Sequence, residues 1–227
     1  MKRSEINAIL CRAKIFFNDM NFHLPPWAFW GPEDWIGLEE KTGEIRLSMI
    51  GWDTTDFSGG DFSRQGLTLF TMRNGIPASP RYGKPYCEKI MVVREEQETP
   101  MHFHWKKTED IINRGGGNLV MQLYGSTESG GLSEKTLSTE INGIRKMVNA
   151  GETLILTPGE SICLTPGMYH RFYGEKGMGN VLVGEVSTVN DDSSDNKFLE
   201  VRGRFPGIVE DEEVLHYLVS DYKNIYK

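Results

Sequence analysis

The chain has 227 residues, with 25 Lys+Arg against 32 Asp+Glu and a formal net charge of −7. That acidity, without a basic run, argues against binding nucleic acid, whose phosphates need a positive face. Hydrophobic residues at 38% and charged ones at 25% argue against a disordered chain, and no apolar stretch approaches the roughly 20 residues of a membrane helix.

The N-terminus, MKRSEINAILCRAKIFF, lacks the apolar core and small-residue cleavage site of a signal peptide. Cys11, Cys87 and Cys163 are far apart and form no CxxC pair, which places the protein in a reducing cytoplasm and the cysteines in the core. Residues 4–20 read as a helix. Ser4 is its candidate N-cap, and Ile6, Ile9, Leu10, Ala13 and Phe17 lie on one face. The next stretch, FHLPPWAFWGPEDW, is broken by proline and glycine yet carries three tryptophans. It either wraps the core or walls a ligand pocket, and Trp27 is its candidate substrate contact. Pro32-Glu33-Asp34 opens a short helical turn.

After Gly43 the character changes. Residues 44–52, 66–75, 86–95, 118–125, 143–159, 160–174 and 180–190 are short runs rich in Val, Ile, Thr, Phe and Tyr, and they read as strands. Asn74-Gly75, Asn142-Gly143 and Gly115-Gly116-Gly117 read as turns between them. Residues 191–196, DDSSDN, form a loop, and residues 210–223 form a short helix or an edge strand. The fold class is therefore all-β. One domain spans 1–227: a helical cap (1–40), a β-barrel (41–207) and a C-terminal segment (208–227).

The stretch TPMHFHWKKTEDIINRGGG carries the chemistry. On a strand, His102 and His104 point to the same face. Glu109 follows past a turn at Lys106-Lys107, and His170 follows the Pro166-Gly167 turn. Three imidazoles and a carboxylate suit a divalent ion of the Mn, Fe, Co, Ni or Zn type, with positions left for substrate.

H-x-H-x4-E-x6-G followed by P-G-x-x-H resembles the two motifs of the cupin superfamily, which bind metal inside a double-stranded β-helix. With an insertion near 126–142, the resemblance implies a cupin-like jelly-roll barrel and His102, His104, Glu109 and His170 as ligands. The strings MHFHWKKTEDIINRGGG, TPGESICLTPGMYHRFYGE and VGEVSTVNDDSSDN, followed by GRFP, are similar to bacterial D-lyxose isomerases. That resemblance implies an enzyme using Mn2+ (Co2+, Fe2+ or Zn2+ being alternatives). It would interconvert D-lyxose and D-xylulose, and D-mannose and D-fructose, through an enediolate. It also implies a free monosaccharide as substrate and a homodimer. A phosphosugar isomerase or an iron-dependent oxygenase of the same superfamily is the rival reading.

Such chemistry needs a base for the C2 proton. Glu185 shares a strand face with Val181 and Val183, and a carboxylate there is either the base or half of a structural ion pair. Lys89 either points inward, where it would stabilise the enediolate, or outward into solvent. Asp191 and Asp192 either hold sugar hydroxyls or build a turn. Tyr169 and Trp105, each beside a ligand histidine, face away from the metal, and His216 reads as a surface residue.

Overall fold

The computed structural model describes residues 1–226. Apolar residues at three- and four-residue spacing form the first helix, α1 (Arg3–Asp19), and bury Ile6, Ile9, Leu10, Ala13 and Phe17. The helix begins earlier than Ser4: Glu5 Oε2 accepts the Lys2 N–H at 2.8 Å, while Ser4 lies in the first turn and donates to Asp211. The aromatic stretch makes two single-turn 3-10 helices, Pro26–Phe29 and Pro32–Trp35. Trp27 packs on Phe70 at 5.0 Å between ring centroids, and Trp35 packs on Trp30, Tyr217 and Tyr222. This stretch wraps the core.

Residues 44–50 correct the sequence reading. A short helix, α2 (Gly43–Leu47), stands where the pattern suggests a strand. Thr42 Oγ1 donates to the Leu38 carbonyl before it, and Met49, at φ +52°, turns the chain out of it. The strands then follow in chain order: β1 (Gly51–Thr55), β2 (Leu67–Arg73), β3 (Tyr86–Val93), β4 (His102–His104), β5 (Glu109–Gly116), β6 (Leu119–Ser126) and β7 (Leu132–Ser133). After these come β8 (Leu137–Ile141), β9 (Ile144–Val148), β10 (Thr153–Leu156), β11 (Ser161–Leu164), β12 (Met168–Gly174), β13 (Val181–Thr188) and β14 (Asn196–Phe198).

The strands build two antiparallel sheets, ordered β1-β2-β3-β13-β5-β11-β8-β9 and β10-β6-β12-β4-β14, with β7 paired to β6. Their facing sides enclose one core, with Leu69, Met91, Ile111 and Val183 from the first sheet against Met121, Leu154 and Phe172 from the second. Alternation sends Phe70, Ile90 and Val92 to the opposite face, where they pack with Trp52 against Ile6, Leu10 and Phe17 of α1. This is the cupin-like all-β architecture expected from the motifs.

The turns divide. Asn142 and Gly143 have φ of +55° and +76° and close the two-residue β8–β9 hairpin, as the pair suggests. Gly115 and Gly116 belong to β5 rather than to a turn, and the chain turns only at Gly117-Asn118. A Cβ on Gly116 would lie 2.3 Å from the Asn180 carbonyl oxygen. Asn74-Gly75 closes no hairpin, and Asn74 is buried. Of the cysteines, Cys87 is buried, and burial pushes its thiol up to about 12; Cys11 is exposed and Cys163 half-buried.

The C-terminal segment runs back along α1 and ends in a 3-10 helix, Val219–Asn224. His216 is buried rather than superficial: its Nδ1 donates to the Trp30 carbonyl, and Lys14 Nζ lies 2.8 Å from Nε2. Arg3, 1% exposed, joins the two ends of the chain, bonding Glu210 at 2.8 Å and Asp221 at 3.0 Å. In Arg3→Met, Asp221 is left beside apolar surface without its cation. The loss is about 3 kcal/mol, which thermal unfolding should report as a melting point lower by roughly 6–12 °C. Among the described residues no helix is long and apolar enough to cross a membrane.

Candidate active site

Strand β4 is three residues long, and its alternation sends His102 and His104 into the space between the sheets. Phe103 points the other way, against Trp105 and Tyr169, at 4.6 and 4.8 Å. His170 on β12 is paired directly with His102. The ligand nitrogens of the three imidazoles lie within 4.8 Å of one another. Glu109 enters from the opposite sheet as the first residue of β5, with its Oε1 at 3.2 Å from His104 Nε2 and 3.1 Å from His170 Nε2.

The protonation pattern follows from the neighbours. A carbonyl oxygen only accepts, so His102 Nδ1 donates to Pro100 O at 2.8 Å and His170 Nδ1 donates to Met168 O at 3.0 Å. Their Nε2 lone pairs are thereby left to face the cavity. Burial, and then the other two imidazoles, push His102 well below the ordinary histidine range; burial also lowers His104. Burial opposes ionisation of Glu109, but Lys107 and His104 outweigh it and hold the carboxyl well below its usual range.

Glu109 Oε1 is buried and close to two imidazole nitrogens, yet it makes no hydrogen bond among the described residues. A buried carboxylate oxygen in that state is costly unless something else satisfies it. The three imidazole nitrogens form one cluster, and the carboxylate oxygen reaches two of them. These residues fit a divalent cation.

Beside this group lies an array of charges. Glu185 on β13 is paired across the ladder with Lys89 on β3, and both are buried. Lys89 Nζ lies 3.1 Å from Glu185 Oε1 and 3.3 Å from Oε2. Lys107 Nζ bridges Glu109 Oε2 at 2.6 Å and Glu185 Oε1 at 3.0 Å. Burial disfavours the charged form of Lys107, but Glu109 and Glu185 win and raise it; likewise Lys107 and Lys89 overcome burial and lower Glu185. Ser187 Oγ also lies 3.2 Å from Glu185 Oε1, but its single hydroxyl hydrogen has a nearer acceptor in the Thr188 carbonyl at 2.8 Å. Glu185 Oε2 therefore has the long contact to Lys89 alone, and it is the less encumbered oxygen.

Lys107 was legible only as half of a turn. The turn is real, but Asp195, from the DDSSDN loop, sets its shape by accepting the backbone N–H groups of Lys106 and Lys107 at 2.8 and 3.0 Å. This turns the Lys107 side chain inward. The available signal was its place between two ligands, His104 and Glu109.

Of the acidic pair, Asp192 lines the cavity and Asp191 does not. Asp191 instead accepts the hydroxyls of Ser193 and Ser194, which makes it a loop residue. Trp27 also lies outside the cavity, in the packing between α1 and the first sheet. Asp192 and Asp53 share Arg204 Nη2, at 2.9 and 2.6 Å. Burial disfavours ionisation of Asp192, but Arg204, Lys89 and Lys107 outweigh it and depress the carboxyl. Phe57, Leu69, Met91, Ile111, Phe172 and Phe198 supply apolar walls. The result is a polar, charge-balanced pocket with residues that fit a divalent cation on one side and the buried Glu185 carboxylate on another.

Residues 1–222 match the sequence profile of the D-lyxose isomerase family. The chain is 50% identical over 223 residues to a D-lyxose/D-mannose isomerase of Serratia proteamaculans, covering 98% of each chain. It is 48% identical over 224 residues to the D-lyxose/D-mannose isomerase of Escherichia coli O157:H7, covering 98% of this chain and 99% of that one. Among solved structures, its fold is similar to the L-ribose isomerase of Cellulomonas parahominis. The TM-score is 0.59 at 15% identity, over 92% of this chain and 98% of that one. The L-ribose isomerase of Geodermatophilus obscurus gives a TM-score of 0.53 at 16% identity, over 87% and 92%. The structural matches share the fold and the sequence matches share the activity class, so the chain is an aldose–ketose isomerase and belongs to the D-lyxose isomerase family.

Proposed function

We propose that the protein interconverts D-lyxose with D-xylulose and D-mannose with D-fructose, using manganese held by His102, His104, Glu109 and His170. The observation that carries this reading is Glu185: a buried, ionised carboxylate with one oxygen largely free, lining the same cavity as three clustered imidazoles and Glu109. A divalent ion in that group supplies Lewis-acid polarisation of the sugar's carbonyl and neighbouring hydroxyl. Glu185 Oε2 takes the proton from C2 of the aldose, and the C2–H electron pair becomes the C1–C2 double bond of an enediolate. The same oxygen then returns the proton to C1 while the proton of the C2 hydroxyl passes to O1, leaving the ketone at C2 and a hydroxyl at C1. Lys107 and Lys89 keep Glu185 ionised between turnovers and fix its carboxylate plane. Asp192 and Arg204, the latter with a buried Nη1 that has no partner among the described residues, receive sugar hydroxyls remote from the reacting carbons.

Each cation lining the pocket is already paired: Lys89 and Lys107 with Glu185, and Arg204 with two carboxylates. A phosphate would find no spare positive charge, so the substrate is a free sugar. An oxygenase would have no use for the lysine–carboxylate array. The test is chromatography of D-lyxose, D-mannose and their phosphates after incubation with the manganese-loaded protein. Ketose from the free sugars alone is the expected result. Ketose from the phosphates alone, or none from any of the four, rejects the proposal.

A further inference from the structure

Asn190 lies just beyond β13, outside the pocket lining. Its carboxamide Oδ1 accepts from Lys89 Nζ at 2.7 Å and from Lys107 Nζ at 3.4 Å. Its backbone is gripped in turn. The Asn190 N–H donates to Asn74 Oδ1 at 3.0 Å, and the Asn190 carbonyl accepts from Asn74 Nδ2 at 3.0 Å. Asn74 Nδ2 also donates to the Ser48 carbonyl at 3.0 Å. One buried side-chain amide thus bonds the Asn190 backbone as a neighbouring strand would, and ties three distant segments together.

We infer that Asn190 is a positioning residue for isomerisation, acting through Lys89 and Lys107, and that Asn74 holds it in place. The inference rests on the reading of Glu185 as the base. Lys89 already lies near both oxygens of Glu185, at 3.1 and 3.3 Å. The shorter bond to Asn190, at 2.7 Å, engages another of its N–H groups and holds the ammonium back, so that its contact to Oε2 stays long. Without that acceptor, the ammonium closes further on the carboxylate, shortens its long contact to Oε2 and blocks the oxygen that takes the proton. The acceptor is also neutral. Lys89 and Lys107 face Glu109 and Glu185, so the charges already balance. A third carboxylate would draw the ammonium groups off Glu185, whereas an amide holds their direction without competing for charge.

The experiment compares manganese-loaded wild type with Asn190→Ala, Asn74→Ala and the double variant, on D-lyxose and D-mannose. Displacing reacting groups by about 1 Å costs roughly 100-fold, so Asn190→Ala should lower kcat by about 10–100-fold. KM should stay within about threefold, and bound metal and melting temperature should not change. Asn74 touches neither lysine, yet Asn74→Ala should lower kcat as well, and the double variant should be no slower than Asn190→Ala. A crystal structure of Asn190→Ala should show Lys89 Nζ moved toward Glu185 Oε2. Where Asn190→Ala does not fold, Asn190→Ser, whose hydroxyl is too short to reach the lysines, serves in its place. Unchanged kcat, losses that multiply in the double variant, or an unmoved Lys89 overturns the inference. Failure of wild type to turn over either sugar instead overturns the isomerase reading, and the clamp is then judged on the position of Lys89 alone.

Discussion

Glu185→Gln should lower kcat for D-lyxose by about 10³-fold, within the range that a positioned base contributes, while KM stays within about threefold. The substitution keeps the size of the side chain and an oxygen for Lys89 and Lys107, so the pocket retains its shape. It removes the basic lone pair that the two lysines on Oε1 leave available on Oε2. Initial rates by ketose assay, with metal content measured on the same sample, decide the matter. A variant that keeps its metal and more than a tenth of wild-type kcat would show that another group moves the proton. Exchange of the C2 hydrogen with deuterated water should fall in step with kcat, because the same group performs both.

Removing the ion should abolish isomerisation and also reduce stability. The imidazoles and Glu109 come from β4, β5 and β12, across both sheets, so an ion held by them ties the sheets together. At a hundred times its dissociation constant, a ligand adds about 2.7 kcal/mol, which for a chain of this size is roughly 5–11 °C in melting temperature. Chelation should lower the melting point by that amount, and manganese should restore both it and activity. In His104→Ala, binding should weaken by roughly 100-fold, about 2.7 kcal/mol, and manganese at wild-type saturating levels should no longer raise the melting point. His104 is the informative position because its Nδ1 has no partner among the described residues, so alanine strands no backbone carbonyl. An unchanged melting curve with and without metal would place the ion elsewhere.

Much of this site could be read from the residues because strands fix side-chain direction by parity. His102 and His104 share a face, as do Val181, Val183 and Glu185, and the ladder then sets Lys89 opposite Glu185. Parity fails where the chain leaves a strand, and the misses fall there. Lys107 sits in a turn, and its direction depends on Asp195, 88 residues later. Asn190 and Asn74 lie just past strand ends, where the sequence shows only turn-forming residues. Residues 44–50 alternate like a strand but are short enough for Thr42 and Met49 to decide their shape. His216 looked superficial because its burial depends on Trp30 and Lys14, 186 and 202 residues away. Trp27 satisfied the rule that an aromatic loop must pack on something, and Phe70 of the outer core, rather than a sugar, is that partner.

The placing of β4 has a consequence for the order of events in synthesis. Its ladder partners are β12 and β14, both later in the chain than β4 itself. A ribosome that has reached residue 160 has made two histidines and one glutamate of the ligand group, but no neighbour to align them. The third imidazole and the β12 ladder come with Met168–Gly174, the Asp195 brace later still, and the closing of Arg3 onto Asp221 last of all. A cation that needs the whole group can therefore be held only after β12 has been made and has paired with β4.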